Sequence, residues 1–160
     1  MELHADWKEF LSLLNSNRVR YIVVGAHALG ALGEPRFTGD LDVLIEPSTA
    51  NAVRVLAALE AFGFGKVGIR LEDLETPGMV FRLGYPPVGI DILTRITGVS
   101  FAGAWKRRGR AVMGGQKVHV LSRADYVRNK RAAGRPKDLL DLELLGAGAG
   151  PVRRGRERGS

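Results

Sequence analysis

Residues 25–45 of the chain read GAHALGALGEPRFTGDLDVLI, and this stretch decides how the rest is organised. It follows the apolar run of residues 21–24, which is typical of a strand buried on both faces. Two carboxylates, Asp40 and Asp42, stand one residue apart at the head of a second apolar run. Because residues i and i+2 of a strand share a face and lie about 7 Å apart, both carboxylates point the same way.

The spacing of these carboxylates predicts a cation site. Two like charges this close raise each other's pKa unless a positive charge lies between them, and oxygen ligands favour magnesium or manganese. A third aspartate, Asp91, is the one charged residue in a further strand predicted over residues 88–94. Residues 26–32 can form two turns of helix, which would place the amides of Gly25 and Ala26 where a phosphate can bind.

The combination resembles the nucleotidyltransferase superfamily. The signature of that superfamily is a strand ending in Gly-Gly or Gly-Ser, then a short helix, then Asp-x-Asp or Asp-x-Glu on the next strand. The fuller pattern here is similar to the minimal, toxin-type branch of abortive-infection and type IV toxin–antitoxin proteins. It runs from Gly25-Ala26 through Arg36-x-Thr38-x-Asp40-x-Asp42. The pair Gly25-Ala26 departs from the common Gly-Gly or Gly-Ser signature. Alanine in the second position lacks the hydroxyl that a serine would offer as a ligand.

The resemblance implies a role for each of these residues. Asp40 and Asp42 would be metal ligands, and Asp91 would be a third ligand and a possible base for the acceptor hydroxyl. Arg36 would hold a phosphate bidentately, and Thr38 would cap the turn or bond within the site. The alternative for the Asp-x-Asp pair alone is ordinary turn chemistry at the start of a strand. For Arg36 and Thr38 the alternative is a surface arginine and a turn threonine.

Residues 129–141 form a second segment that resembles the toxin-type branch. Members of that branch carry a similar basic segment that faces the nucleotide. Lys130 on one helix and Lys137 on the next would converge across a tight turn to bind the triphosphate. A solvated helix corner with Lys–Asp pairs is the alternative. Asp138 and Asp141 are expected to orient these cations or to cap the final helix rather than to bind metal.

The function that the resemblance implies is Mg²⁺- or Mn²⁺-dependent transfer of a nucleotidyl group from an NTP to a hydroxyl. In the toxin-type branch the acceptor is a tRNA end or a protein side chain, and a cognate antitoxin is a possible partner. Two alternatives stay open. One is a small-molecule nucleotidyltransferase of the antibiotic-modifying kind, which a pocket with further acidic residues would favour. The other is a non-catalytic binding or interaction protein that keeps the fold.

Composition limits the classes of protein that need to be considered. A chain of 160 residues without cysteine predicts one domain, residues 1–145, that has neither disulfides nor thiolate zinc sites. The chain lacks an apolar run of 18 residues and a signal-peptide pattern, so we expect a cytoplasmic protein without a membrane partner. The net charge is +7, but 20 basic and 16 acidic residues outside residues 146–160 leave only +4. That Gly/Arg-rich tail is predicted to be disordered and solvated rather than an RNA-binding arm.

The patterning predicts an α/β fold with a small mixed sheet, flanking helices and two C-terminal helices. Helices are expected over residues 5–16, 26–32, 49–62, 101–108, 123–133 and 137–145, with Ser48 and Ser122 as N-caps. Strands are expected over residues 21–24, 41–46, 66–71, 78–84 and 88–94, and a hairpin over 111–120. The densest basic cluster is Lys106, Arg107, Arg108 and Arg110 beside Trp105. It predicts either a nucleic-acid groove or a charged turn over a core tryptophan.

Overall fold

The computed structural model describes residues 3–33, 40–65, 67–85 and 88–147. Arg36 and Thr38, together with most of the predicted tail, lie outside the described residues. The helices in the described part are α1 (Ala5–Ser16), α2 (Gly25–Ala31), α3 (Thr49–Ala61), α4 (Leu71–Glu75), α5 (Phe101–Arg107), α6 (Arg123–Ala133) and α7 (Pro136–Leu144). The strands are β1 (Tyr21–Val24), β2 (Asp40–Ile45), β3 (Val80–Leu83), β4 (Gly89–Leu93), β5 (Gly109–Met113) and β6 (Gln116–Val120).

The strands form one mixed sheet in the order β3-β4-β2-β1-β6-β5. β2 and β4 are parallel neighbours, as are β1 and β6, and the other neighbours pair antiparallel. The predicted α/β class, the mixed sheet and the two C-terminal helices are confirmed. No helix in the described residues combines the length and the apolar content that a bilayer span needs.

The sheet separates two apolar cores, and the alternation along β1 shows how. Tyr21 and Val23 pack in a larger core with α1 and α3, whereas Ile22 and Val24 pack in a smaller core with α2 and α6. All four side chains are buried, as expected for a strand covered on both faces. In β2 the apolar residues Leu41 and Val43 enter the larger core, so Asp40 and Asp42 lie on the opposite face.

One predicted region is wrong. Residues 66–71 were expected to be a strand and residues 72–75 an acidic loop, but residues 71–75 form the short helix α4. The side chain of Asp73 accepts a hydrogen bond of 2.9 Å from the backbone N–H of Arg70, which closes the first turn. Leu74 is fully buried and anchors the helix in the larger core. A single turn of helix is too short to show a periodic pattern, so tertiary packing of Leu74 decides the structure here.

Asn51 joins three elements by its side-chain amide. It is 1% exposed, and its Oδ1 accepts a bond of 2.7 Å from the Arg20 N–H at the entrance to β1. Its Nδ2 donates to the carbonyls of Arg20 and Glu46, at 3.0 Å each. The amide satisfies the Arg20 N–H, whereas the carbonyls of Arg20 and Glu46 also accept from the backbone N–H groups of Glu46 and Ser48. Asn51 therefore adds a hydrogen-bonded link between the start of β1 and the end of β2.

We expect Asn51→Ala to lower the free energy of unfolding by about 1–3 kcal/mol, because the Arg20 N–H loses its hydrogen-bond partner and the links to the two carbonyls are removed. Urea denaturation measures the loss. Val53→Ala on the same helix is the control, since Val53 is 55% exposed and its truncation should change stability by less than about 0.5 kcal/mol. Equal effects of the two substitutions would show that Asn51 does not hold the strands together.

Candidate active site

The three predicted aspartates converge on one face of two neighbouring strands. Asp40 and Asp42 lie on β2, and Asp91 lies directly opposite Asp42 on the parallel strand β4. Residues in register on parallel strands point to the same face, and the side chains of Asp42 and Asp91 are within hydrogen-bonding reach of each other. Asp91 is only 8% exposed. The sequence therefore placed all three carboxylates correctly in one cluster.

Two glycines leave room for these carboxylates. Gly25 begins α2 with a φ of +69°, and a Cβ at this position would collide with the carboxylate of Asp42. Gly89 faces Asp40 across the β2–β4 pair, and a Cβ there would collide with Asp40 Oδ1. Gly25 and Ala26 also line the cleft in front of the carboxylates. Their predicted role in binding phosphate stays a prediction, whereas the steric role of Gly25 is a direct feature of the fold.

The proximity of the carboxylates perturbs the titration of Asp42. Burial raises the pKa of Asp42 to about 7, with further contributions from the charge of Asp91, the hydrogen bond with Asp91 and the charge of Asp40. The charge of Lys137 acts in the opposite direction. The cluster is thus short of positive charge at neutral pH, and a cation bound there would relieve the repulsion.

Arg82 is a site residue that the sequence analysis missed. It lies on β3 opposite Asp91, and its Nε and Nη2 donate to the two oxygens of Asp91 at 2.8 and 2.9 Å. Its Nη2 is 3.9 Å from Asp40 Oδ2. These carboxylates raise the pKa of the guanidinium, chiefly through the hydrogen bond with Asp91. The signal that could have found Arg82 is the antiparallel pairing of residues 78–84 with residues 88–94, which places a basic residue across from Asp91.

The carboxylates form the floor of an open cleft of about 900 Å³. Its walls come from β3, from the segment that follows β4, and from the corner between α6 and α7. Cationic side chains that line it are Arg82, Arg95, Lys130, Arg135 and Lys137. Within the described residues, Asp40, Asp42 and Asp91 are the acidic groups among the lining residues. The cleft therefore combines an acidic floor with basic walls, an arrangement suited to an anion that carries a cation with it.

The two lysines that were predicted to bind the triphosphate lie in different environments. Lys130 lines the cleft but is 6% exposed, and its Nζ lies 3.1 Å from Asp138 Oδ1 and 3.3 Å from Asp141 Oδ2. It is also 5.4 Å from the centre of the Tyr126 ring. The alternative of a solvated helix corner with Lys–Asp pairs is right about the pairs at Lys130, but it is wrong about solvation, because this lysine is buried. Lys137 is exposed at the start of α7, and its charge reaches Asp42.

Asp138 holds the corner between α6 and α7 together. It accepts hydrogen bonds from Lys130, from the Arg135 guanidinium at 2.7 and 3.1 Å, and from the Arg135 backbone N–H at 3.1 Å. Burial alone would raise its pKa, but the bonds from Arg135 and Lys130 outweigh burial and lower the pKa to about 2. The prediction for Asp138 is confirmed in two respects, since it pairs with Lys130 and caps the final helix.

Arg36, Thr38 and His27 all precede Asp40 in the sequence, and the structure describes only His27 of the three. Arg36 and Thr38 lie in residues 34–39, outside the described part, so their roles stay predictions. His27 in α2 packs edge-on against Trp7 with ring centres 4.9 Å apart, and it shares a hydrogen bond with the Asp40 backbone. Burial lowers the pKa of His27. This histidine therefore supports the entrance to β2 rather than facing the cleft, whose lining residues do not include it.

The donors fit a hard divalent cation. Within residues 3–33, 40–65, 67–85 and 88–147, no three Asp, Glu or His side chains stand together as a closed metal-binding group. Magnesium, however, is commonly held by one or two carboxylates together with phosphate oxygens of a substrate. Asp42 and Asp91 supply that number, and the pKa of Asp42 is raised first by burial and then by the charges of Asp91 and Asp40, which a cation would compensate.

A scan of the chain against models of known protein families gives no match, and a search among curated proteins finds none either.

The pKa of Asp42 predicts a pH-dependent penalty on stability. The folded chain holds a proton on Asp42 up to about pH 7, whereas the unfolded chain releases it near pH 4, so stability falls as pH rises between these values. We expect Asp42→Asn to gain about 2–4 kcal/mol relative to the unsubstituted protein across this window. Urea denaturation in EDTA at several pH values from 4.5 to 7.5 measures the difference.

Asp6→Asn is the control for this pH series, because Asp6 is an exposed carboxylate in the first turn of α1. A constant difference between Asp42→Asn and the unsubstituted protein at all pH values would contradict the raised pKa.

Substitutions of the two lysines should differ in their cost to stability. Lys130→Met removes one partner of a buried ion-paired network, which should cost about 3–5 kcal/mol in the free energy of unfolding. Lys137→Met removes an exposed charge and should change that free energy by less than about 0.5 kcal/mol. The thermal midpoints of the two variants, measured side by side, distinguish them, and similar midpoints would mean that the buried network does not stabilise the corner.

Proposed function

We propose that this protein is a cytoplasmic, metal-dependent nucleotidyltransferase that moves a nucleotidyl group from an NTP to a hydroxyl acceptor. The observation that carries the proposal is the convergence of Asp40, Asp42 and Asp91 on the floor of a cleft with basic walls. The resemblance of residues 25–42 to the toxin-type branch of the nucleotidyltransferase superfamily supports the same reaction.

The aspartates, two lysines and one arginine of the cleft have different roles in this proposal. Asp42 and Asp91 would hold Mg²⁺ or Mn²⁺, with Asp40 beside them on β2, and the ion when bound would neutralise phosphate charge and lower the pKa of an attacking hydroxyl. Lys137 is exposed at the edge of the cleft and would contact the triphosphate. Arg82 fixes the orientation of the Asp91 carboxylate through two hydrogen bonds. Lys130 has its Nζ committed to two aspartates, so we assign it to the support of the α6–α7 corner.

The composition of the cleft bears on the class of acceptor. A site for a polycationic antibiotic is expected to add carboxylates around the acceptor, and the described lining residues add none beyond Asp40, Asp42 and Asp91. The cations that line the cleft, Arg95 and Lys137 among them, favour an acceptor that is an anion like the NTP. We therefore prefer a nucleic-acid end as the acceptor, with a protein side chain as the second candidate. A cognate antitoxin would belong to this function as an inhibitor.

The test is incubation of the purified protein with each α-labelled NTP and Mg²⁺, in the presence of total RNA or of a protein extract. We expect label in one of these fractions, and a loss of at least about 10²-fold in Asp91→Asn. Asp73→Asn, a carboxylate in α4 outside the cleft, is the matched control. Absence of transfer together with absence of NTP binding would overturn the proposal in favour of a non-catalytic protein.

Lys137 supplies an independent check on nucleotide binding. Removing one charge-assisted contact to the triphosphate should weaken NTP affinity by about 10-fold, which corresponds to about 1.4 kcal/mol. We expect this loss in Lys137→Met and not in Lys106→Met, because Lys106 is an exposed lysine of α5 outside the cleft. Calorimetric titration with Mg-NTP measures both variants, and an unchanged affinity in Lys137→Met would remove Lys137 from the site.

A further inference from the structure

The β5–β6 end of the sheet has one covered face and one open face. Apolar residues of this hairpin, Ala111, Met113, Val118 and Val120, pack toward α1 in the larger core. Side chains that alternate with them point to the other face, where Val112 is 69% exposed and Arg110 and Lys117 are exposed as well. The open face is therefore basic, and α5 covers only its margin through Trp105 and His119.

A stack of planar groups fixes one guanidinium at this margin. Phe101 and Trp105 of α5 stack with ring centres 5.7 Å apart, and Arg108 Cζ lies 3.8 Å from the centre of the Trp105 ring. Arg108 Nε donates to His119 Nδ1 at 3.2 Å, and Arg108 Nη1 donates to the Trp105 carbonyl at 2.7 Å. Because the guanidinium is already held, little side-chain entropy remains to be lost when it binds an anion.

The cations around this stack outnumber the carboxylates that pair with them in the described part of the chain. Arg20 lies 5.4 Å from the centre of the Trp105 ring and has a partly exposed ion pair of 3.4 Å with Glu46. In the described part of the chain, no carboxylate lies within ion-pairing distance of Arg108 or Arg110. Burial lowers the pKa of Arg108, and the charges of Arg110 and Arg20 lower it further. Neighbouring guanidiniums that repel one another are stabilised by an added anion.

We propose that this basic face, defined by Arg20, Arg108, Arg110 and Lys117, binds the phosphodiester backbone of a single-stranded nucleic acid. The four cations come from the entrance to β1, the end of α5 and both strands of the hairpin, so they are spread over the neighbouring strands β1, β6 and β5 and the adjoining end of α5. A backbone with one charge on each successive nucleotide can contact cations that are spread in this way. Arginine offers two parallel donors to phosphate oxygens, and a flexible single strand can follow a face that spans several strands.

The basic face is separate from the proposed active site. None of its four residues lines the cleft, whose aspartates lie on β2 and β4 at the other side of β1. Binding here therefore needs neither the NTP nor a divalent cation, and the inference does not rest on the proposed function.

The experiment titrates the full-length protein into a fluorescein-labelled uridine dodecamer in EDTA, followed by fluorescence anisotropy between 50 and 200 mM salt. We expect Arg108→Gln/Arg110→Gln to weaken binding at least 10-fold and to reduce the slope of log K against log salt by about 1.4, or about 0.7 for each charge. Arg54→Gln/Arg70→Gln is the matched control, because it removes two exposed arginines from α3 and from the entrance to α4. All variants keep the same basic tail.

Three outcomes would overturn the inference. The first is equal weakening in both double variants, which would indicate non-specific attraction by net charge. The second is binding of labelled polyglutamate as tight as that of the oligonucleotide, which would point to an acidic protein partner. The third is no binding of the dodecamer at 50 mM salt. Arg110→Gln alone keeps the test decisive if the double variant fails to fold, since Arg110 is exposed and the single substitution should still lower the slope by about 0.7.

Discussion

Electrostatic repulsion among Asp40, Asp42 and Asp91 is the constraint on which the arrangement of the cleft depends. Parallel pairing of β2 and β4 places Asp42 opposite Asp91, and the low exposure of Asp91 removes water that would screen the two charges. Burial, followed by the charges of Asp91 and Asp40, raises the pKa of Asp42, so an ionised Asp42 is unfavourable in the folded chain at neutral pH. Such a cost is typical of a site whose ligand supplies the missing positive charge.

The fold offsets this repulsion from several elements at once. Arg82 reaches the carboxylates from β3, and Lys137 acts on Asp42 from the start of α7, so groups far apart in the sequence meet at one cluster. Gly25 and Gly89 leave room for the carboxylates, because a Cβ at either position would enter the space of a carboxylate. Substitution at these glycines would therefore alter the site without removing any charged group.

The sequence predicted the parts of the structure that local patterns determine. The apolar run of β1 ends at Gly25, and the Asp-x-Asp pair begins β2, so both strands and the face of the carboxylates could be recognised within about 20 residues. Arg82 could not be recognised in this way, because its role follows from the register of β3 against β4. The short helix α4 was not predicted for a different reason. Five residues are too few to show a helical period, and burial of Leu74 decides that this segment is helical.

The corner between α6 and α7 shows why composition alone could not separate structure from function. Residues 129–141 carry two lysines that look equivalent as sequence, and both border the cleft. Lys130 is enclosed by Asp138 and Asp141, and a buried cation with two partners cannot leave them without exposing an uncompensated charge. Lys137 lies one residue before Asp138, on a helix whose start is fixed by that same network. The buried lysine thus determines where the exposed lysine stands, so stability and ligand binding in this corner reside in different residues of the same type.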